Sequence, residues 1–367
     1  PQHELCCPPA RLAVLLEALA YHHRALLESL WCICAASTLG MAILCTHPRQ
    51  GVAAAALNNH PVIFVAAGRV EVRVPATTAN LGPGFDSLGL ALNIYNRVVA
   101  WPAGGTTLHI SGHGRDELPR DETNLMLRAA RKLADLYGVE LPPIRWQAHH
   151  DIPLARGLGS SSAAIVAGLL VARETLGIDV GREELVQIAA EIEGHPDNVA
   201  PALLGGLTVC LPYARPLRVA RLRPHPHLRV VLCVPAMRVP TEKARRVLPA
   251  SVPFEDAVFN LSRAAGLVAA LTGGTWDLVE ECTKDRLHQP YRMGLWRGAE
   301  DIMAAALAAG AVGAAASGSG PTVAAFCVGA NGSVARAMLD AARRAGVEAA
   351  ALVVRPDPCG ARVNCRS

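Results

Sequence analysis

The sequence predicts an α+β protein of two domains, on three observations. The chain has 367 residues, enough for two domains with sizeable cores. Two strand signatures open two units: Val70, Val72 and Val74 alternating with Glu71 and Arg73, and the apolar stretch "LRVVLCVPAM" at 228–237. Between them "PYARPLRVARLRPHPH", at 212–227, is polar and proline-rich and reads as a junction near residue 222. Hydrophobic residues make up 51% and charged residues 18%, the balance of a globular rather than a disordered chain.

Residues 1–68 do not share this texture. Leu30–Cys45 is an apolar run of 16 residues, short of a membrane span, which takes about 20. Glu28 flanks it and too much chain precedes it for a signal-peptide core. His22, His23, Cys32 and Cys34 match no standard zinc spacing. The chain is rich in Arg and Ala, as GC-rich coding DNA produces, and such DNA leaves upstream frames open. Residues 1–68 are therefore expected to be a poorly ordered extension or the translation of an upstream frame.

The first strand begins at Arg69, and Pro75 is expected to end it. A glycine-broken turn follows, Asn80-Leu-Gly-Pro-Gly-Phe-Asp86, then a second apolar segment. Its amide and carboxylate, six residues apart, suit either a small polar ligand or the turn's own backbone. "PLARGLGSSSAA", at 153–164, is a glycine loop entering a long apolar helix that ends near Gly177. Its serines suit a helix N-cap. A helix from about Glu183 to Glu193 follows, with Leu185, Ile188, Ala189 and Ile192 on one face, and Gly194 stops it. In the second unit, apolar helical segments are expected near 254–271, 275–287 and 296–309. "VGAAASGSGPTVAAFC" reads as strand, glycine turn, strand; 332–346 is a helix and 348–354 the last strand.

The glycine loop and helix start offer unpaired N–H groups at the positive end of a helix dipole, an anion site by construction. The lysine-dependent phosphate loop is excluded, because Lys132, Lys243 and Lys284 are the only lysines and none follows a glycine loop. A ligand-free glycine turn before a core helix is the other reading of the loop alone. Glu193 sits at a helix C-terminus, where a carboxylate opposes the dipole. A bound cation explains that position, and so does an ordinary exposed glutamate.

Net charge is +4 and the basic residues are scattered, so nucleic acid is not an expected partner. Five of the eleven cysteines lie in the first 45 residues and the rest are single, without CxxC pairs. They read as reduced thiols of a cytoplasmic protein rather than a disulfide framework.

The segments "VRVPATTANLGPGFDSLGLAL", "PLARGLGSSSAA", "EGHPDNVAPALLGG", "TEKARRVLP", "HQPYR" and "SGSGPT" occur in this order. From about Arg69 to Val354 the chain resembles the homoserine kinases of the GHMP kinase superfamily. "GLGSSSA" indicates the superfamily; "PATTANLGPGFD" and "HPDNVAP" are specific to the homoserine kinases. The resemblance implies an α+β enzyme with an N-terminal domain like ribosomal protein S5 domain 2, at 69–222. A ferredoxin-like C-terminal domain would occupy 223–357, leaving 358–367 as a tail.

The resemblance also implies ATP and Mg²⁺ as cofactors, L-homoserine as substrate and a homodimer, with no membrane partner. Pro153, Leu154, Ala155, Arg156, Gly157, Leu158, Gly159, Ser160, Ser161, Ser162 and Ala163 would hold ATP, and Asn124 the adenine. Ser161 and Glu193 would bind Mg²⁺, through the oxygen ligands that ion requires. Arg156 would add a donor or face solvent. Arg245 and Arg292 would take the homoserine carboxylate, with Arg246 the neighbour open to confusion with Arg245. Asp86 would take the ammonium, while Asn80 and Asn198 orient the hydroxyl. Some superfamily kinases carry an aspartate base where this chain has Asn198. The expected route therefore needs no protein base, its transition state being loose. Asp197 is the alternative base; otherwise it braces its loop by bonding backbone N–H groups. A mevalonate, shikimate or sugar kinase and a non-catalytic ligand sensor are the competing functions.

Overall fold

A computed structural model describes residues 68–329 and 331–366. The sequence reading of residues 1–67, with His22, His23, Cys32 and Cys34, lies outside them.

Two sheets carry the described chain. The first holds β1 (Arg69–Ala79), β2 (Leu88–Pro102), β3 (Thr107–Gly112), β4 (Ile144–His150), β5 (Leu207–Leu211), β6 (Arg218–Leu222) and a final strand, Arg362–Arg366. Its main path runs final strand–β1–β2–β4–β3, with β5 and β6 branching from β2. All its pairings are antiparallel except β3 with β4. Val70, Val72 and Val74 alternate into the core as the period-2 pattern requires. Pro75 does not end the strand. β1 continues to Ala79 because the register on β2 shifts between Pro75 and Ala76, and the final strand pairs only with residues 69–73. Pro75 thus withholds its missing N–H from no ladder bond on that side.

Helices α1 (Leu125–Leu136), α2 (Ser160–Leu176), α3 (Arg182–Glu193) and α4 (Pro196–Leu204) belong to this half. α2 is apolar all round and buried along most of its length, packed on β1, α1 and its sequence neighbours. Gly177 closes it in the left-handed conformation, as expected. α3 buries Leu185, Val186, Ile188 and Ala189, and Gly194 closes it the same way.

The second sheet is antiparallel, with β7 (Leu228–Pro235), β8 (Gly313–Ala316), β9 (Val323–Val328) and β10 (Ala349–Val354) in the order β10-β7-β9-β8. The continuous apolar run of β7 is explained by its two buried faces. Val230 and Leu232 join a core cluster that extends into the first sheet, while Val231 and Cys233 face the opposite cluster with Ile302, Val334 and Met338. Short α5 (Thr241–Arg246) follows β7, and α6 (Phe254–Gly273) is the long helix expected there. The segment 275–287 departs from expectation, carrying a 3-10 turn, Trp276–Leu278, and a short helix, α7 (Val279–Cys282). Asp285 draws the backbone N–H groups of Leu287, His288 and Gln289 onto its carboxylate, and the chain turns instead of continuing helical. Short α8 (Gln289–Arg292), α9 (Ala299–Ala308) and α10 (Gly332–Arg344) complete the unit.

The proline-rich stretch at 212–227 contains β6, so the polar connection between sheets is confined to 223–227. Residues 358–367 were expected as a tail, yet Arg362–Arg366 is a strand paired antiparallel with β1, hereafter β11. Among the described residues no helix is long and apolar enough to cross a membrane, and six cysteines are free thiols.

Candidate active site

The glycine loop lies where β1, α2, α4 and the β8–β9 turn meet. Gly159 is the N-cap of α2 at φ 69°, and Ser160, Ser161 and Ser162 form the first turn. The serines therefore do not cap the helix. Instead Ser161 Oγ and Ser162 Oγ both donate to Glu193 Oε1, at 2.5 and 3.0 Å. The first-turn N–H groups are left to the cleft, with the dipole behind them. Gly157 sits at φ 72°, and a Cβ there would fall 2.0 Å from Ser317 O. Ser317 Oγ donates to Gly157 O at 2.6 Å, so the β8–β9 turn holds the loop from below.

A cleft of about 500 Å³ opens over this loop and is lined by residues 154–161. Pro153, Ser162 and Ala163, expected with ATP, do not line it and are buried behind it. Arg156 lines the cleft, and its guanidinium is engaged by backbone carbonyls. Its guanidinium donates to Pro235 O, Leu154 O and Ala236 O at 2.9, 2.8 and 2.6 Å, tying the loop to the end of β7. Partial burial lowers its pKa from the usual arginine value.

At one end of the cleft Asn124 caps α1. Its Oδ1 accepts from Met126 N at 3.0 Å and its Nδ2 donates to Pro119 O at 2.7 Å. Ile110, Leu118, Met126 and Leu154 form an apolar wall beside it. Arg238, just beyond β7, pairs with Glu117 across this end, one of its two bonds at 2.7 Å.

The other end is charged. Arg245 on α5 grips Asp86 bidentately, at 3.0 and 2.6 Å. Burial opposes the charge of Arg245, but Asp86 outweighs it and raises the guanidinium pKa. Arg246 points away, is exposed and pairs with Glu242. Arg292 is only 2% exposed. Its Nε donates to Ala244 O at 3.0 Å, and burial, reinforced by the charge of Arg245, lowers its pKa to about 10. Buried His288 supports it: Nε2 lies 2.7 Å from Gly82 O and Nδ1 lies 3.3 Å from Arg292 Nη1. Burial lowers the His288 pKa from its ordinary value. Phe85 lies under both guanidinium groups, 5.4 and 5.1 Å from its centroid.

Asn80 adopts φ 65° and closes its own turn. Its Oδ1 accepts from Asp86 N at 3.0 Å, and its Nδ2 donates to Gly318 O at 2.9 Å. The amide thus braces the turn while the carboxylate of Asp86 remains in the cleft. Asp197 bonds the ring of His195, Nδ1 to Oδ1 at 2.6 Å, rather than backbone N–H groups. Burial opposes the His195 charge, but the bond to Asp197 and its negative charge prevail and raise the pKa above the ordinary 6.5. Asn198, 8% exposed, accepts from Thr77 Oγ1 at 2.8 Å. Asp86, His195 and Asp197 also present ligand atoms within 4.8 Å of one another. Arg245 and the Asp197–His195 bond already engage these carboxylates.

Residues 124–206 match the GHMP kinases N terminal domain and residues 264–348 the GHMP kinases C terminal domain. A homoserine kinase of Moorella thermoacetica is 45% identical over 292 residues, covering 80% of this chain and 99% of that protein. One from Desulfitobacterium hafniense is 43% identical over 295 residues, covering 80% and 99%. The crystal structure of homoserine kinase from Cytophaga hutchinsonii superposes with TM-score 0.74 at 30% identity, covering 84% of this chain and all of that one. The chain belongs to the homoserine kinase family of the GHMP kinases.

As a GHMP kinase it has the two-domain fold of that superfamily, with ATP as phosphate donor. The donor set at the α2 start fits Mg²⁺: the Ser161 hydroxyl and the Glu193 carboxylate line the cleft side by side next to unpaired N–H groups, and hard oxygen ligands are what that ion takes. Homoserine kinase motifs also contain residues that sequence reasoning passed over. Thr77 stands in "PATTAN", His195 in "HPDNVAP" and His288 in "HQPYR". Their signal was their place inside quoted motifs. Phe85, in "PATTANLGPGFD", had the same signal; Glu117 and Arg238 gave none, because each acts through a partner distant in sequence.

Proposed function

We propose that the protein transfers the γ-phosphoryl group of ATP to the side-chain hydroxyl of L-homoserine, giving O-phospho-L-homoserine for threonine biosynthesis. The observation that carries this reading is the acid–base set at the end of the cleft away from Asn124. Asp86, Arg245 and buried Arg292 form a charge pair with one surplus cation. An amino-acid zwitterion matches it: the ammonium bonds Asp86, and the carboxylate meets the planar guanidinium forks of Arg245 and Arg292. Ligand charges then replace the contact that Asp86 and Arg245 make with each other. A mevalonate or sugar acceptor carries no ammonium and would leave Asp86 without that partner.

The adenine is assigned to the apolar wall beside Asn124, and the phosphates to the N–H groups of the α2 start. Ser161 and Glu193 would hold Mg²⁺, which when bound neutralises phosphate charge. The hydroxyl oxygen attacks the γ-phosphorus, the bond to the bridging oxygen breaks and ADP leaves. The hydroxyl proton passes to a phosphoryl oxygen, directly or through water, because Asn198 cannot accept it. Asp197 is engaged by His195 and serves to hold α4. The family resemblance carries a cytoplasmic homodimer, which light scattering tests.

A coupled ADP-release assay with L-homoserine, mevalonate, shikimate and galactose tests the reading. Turnover with L-homoserine alone is expected. Turnover with another acceptor and none with homoserine would replace it, and ATP binding without turnover would favour a sensor.

A further inference from the structure

Asn198 has a fixed sense, and Thr77 fixes it. Thr77 lies on β1 and is fully buried. Its backbone N donates to Leu158 O, in the glycine loop, at 3.1 Å. Its hydroxyl donates to Asn198 Oδ1 at 2.8 Å and finds no other acceptor among the described residues. A buried hydroxyl hydrogen without an acceptor is costly. The amide oxygen of Asn198 must therefore face Thr77, and the amide nitrogen must face the cleft that Asn198 lines. Gly159 closes the arrangement: a Cβ there would sit 2.0 Å from Thr77 Oγ1 and 3.2 Å from Asn198 Oδ1. The Thr77 side chain and backbone thus join the residue facing the acceptor hydroxyl to the loop facing the phosphates.

We propose that Thr77 is a positioning residue for phosphoryl transfer, locking the Asn198 amide so that only its N–H donors reach the reacting oxygens. This rests on the reading that Asn198 faces the acceptor hydroxyl. An amide held in this sense donates to a lone pair of the hydroxyl or to a γ-phosphate oxygen. It cannot draw off the hydroxyl hydrogen, which is left directed at the phosphoryl group. Without Thr77 the amide is free to flip, its oxygen competes for that hydrogen, and the fraction of productive complexes falls.

The test is a double-mutant cycle with Thr77→Val, Asn198→Ala and the pair, plus Thr77→Ser. kcat and KM for ATP and for L-homoserine are measured on proteins whose folding is checked by circular dichroism. Thr77→Val is expected to lower kcat about 10-fold or more, within the range of coupling in one hydrogen-bond network. KM for ATP should stay within about twofold, Thr77→Ser should keep most of the activity, and Thr77→Val should cost nothing further on Asn198→Ala. If Thr77→Val does not fold, Thr77→Ala takes its place in the same cycle. Undiminished kcat, failure of Thr77→Ser to rescue, or an undiminished loss on the Asn198→Ala background overturns the proposal. Wild-type turnover in Asn198→Ala would instead remove the reading of Asn198, and the role of Thr77 with it. An impaired Asn198→Ala with an additive cycle removes the role of Thr77 alone.

Discussion

Asp197 and Asn198 are adjacent on one short helix, yet their surroundings give them different chemistry. The Asp197 carboxylate bonds His195, and in the proposed route it takes no proton from the acceptor. Asp197→Asn is accordingly expected to leave single-turnover phosphoryl transfer within about tenfold, whereas removing a general base costs about 10²- to 10⁴-fold. The same substitution should alter stability with a defined sign. The His195 pKa is raised in the folded protein. The stability that its protonated ring draws from Asp197 is fully present below the unfolded value near 6.5 and is lost as pH rises through the raised folded value. Urea unfolding of wild type and Asp197→Asn across this range should show a gap that is widest at acid pH and narrows as pH rises. A constant or widening gap would mean that His195 is not held charged by Asp197.

At the scale of elements, the contact between the glycine loop and the β8–β9 turn joins the two sheets beneath the cleft. Gly157→Ala adds a Cβ 2.0 Å from Ser317 O at a residue with φ 72°. It is expected to cost at least about 1–3 kcal/mol and to weaken binding of a nonhydrolysable ATP analogue, read by thermal melting and titration. Unchanged melting and affinity would show that the turn does not hold the loop. The strands and helices around this loop were legible where one periodicity ran undisturbed. Val70, Val72 and Val74 announced β1, and Gly177 and Gly194 announced the ends of α2 and α3. Sequence failed where a distant partner decides the local structure. β1 passes through Pro75 because the strand on one side, β11, pairs only as far as Arg73 and leaves that position unladdered there. The helix expected at 275–287 is cut short because Asp285 collects backbone donors. In the cleft, Arg245, Arg292 and Asp86 were named from motifs, but their mutual pairing and the burial of Arg292 depend on tertiary packing. The carbonyl bonds of Arg156 were illegible for the same reason, since its partners Pro235 and Ala236 lie 79 and 80 residues away.

Across the whole molecule, the chain crosses into the second sheet after β6 and returns to the first to finish. The return is well anchored: Ala361 is fully buried, Asp357 accepts from Cys359 N and Gly360 N, and β11 pairs with β1 over five residues. A chain ending at Pro358 loses these contacts and is expected to melt at least about 5 °C lower, while a disposable tail would leave the melting temperature unchanged. The same closure assembles a cleft whose walls come from both sheets, apolar beside Asn124 and charged beside Asp86. On the proposed function, this charged end selects an amino-acid zwitterion for phosphorylation. The most direct measurement compares kcat/KM for ADP release with L-homoserine, with 4-hydroxybutyrate, which lacks the ammonium, and with 3-amino-1-propanol, which lacks the carboxylate. Turnover of L-homoserine and a loss of about 100-fold or more with each stripped analogue are expected, because each leaves a charged group of the site without its ligand partner. Equal kcat/KM for all three, or no homoserine-dependent ADP release, would contradict that function.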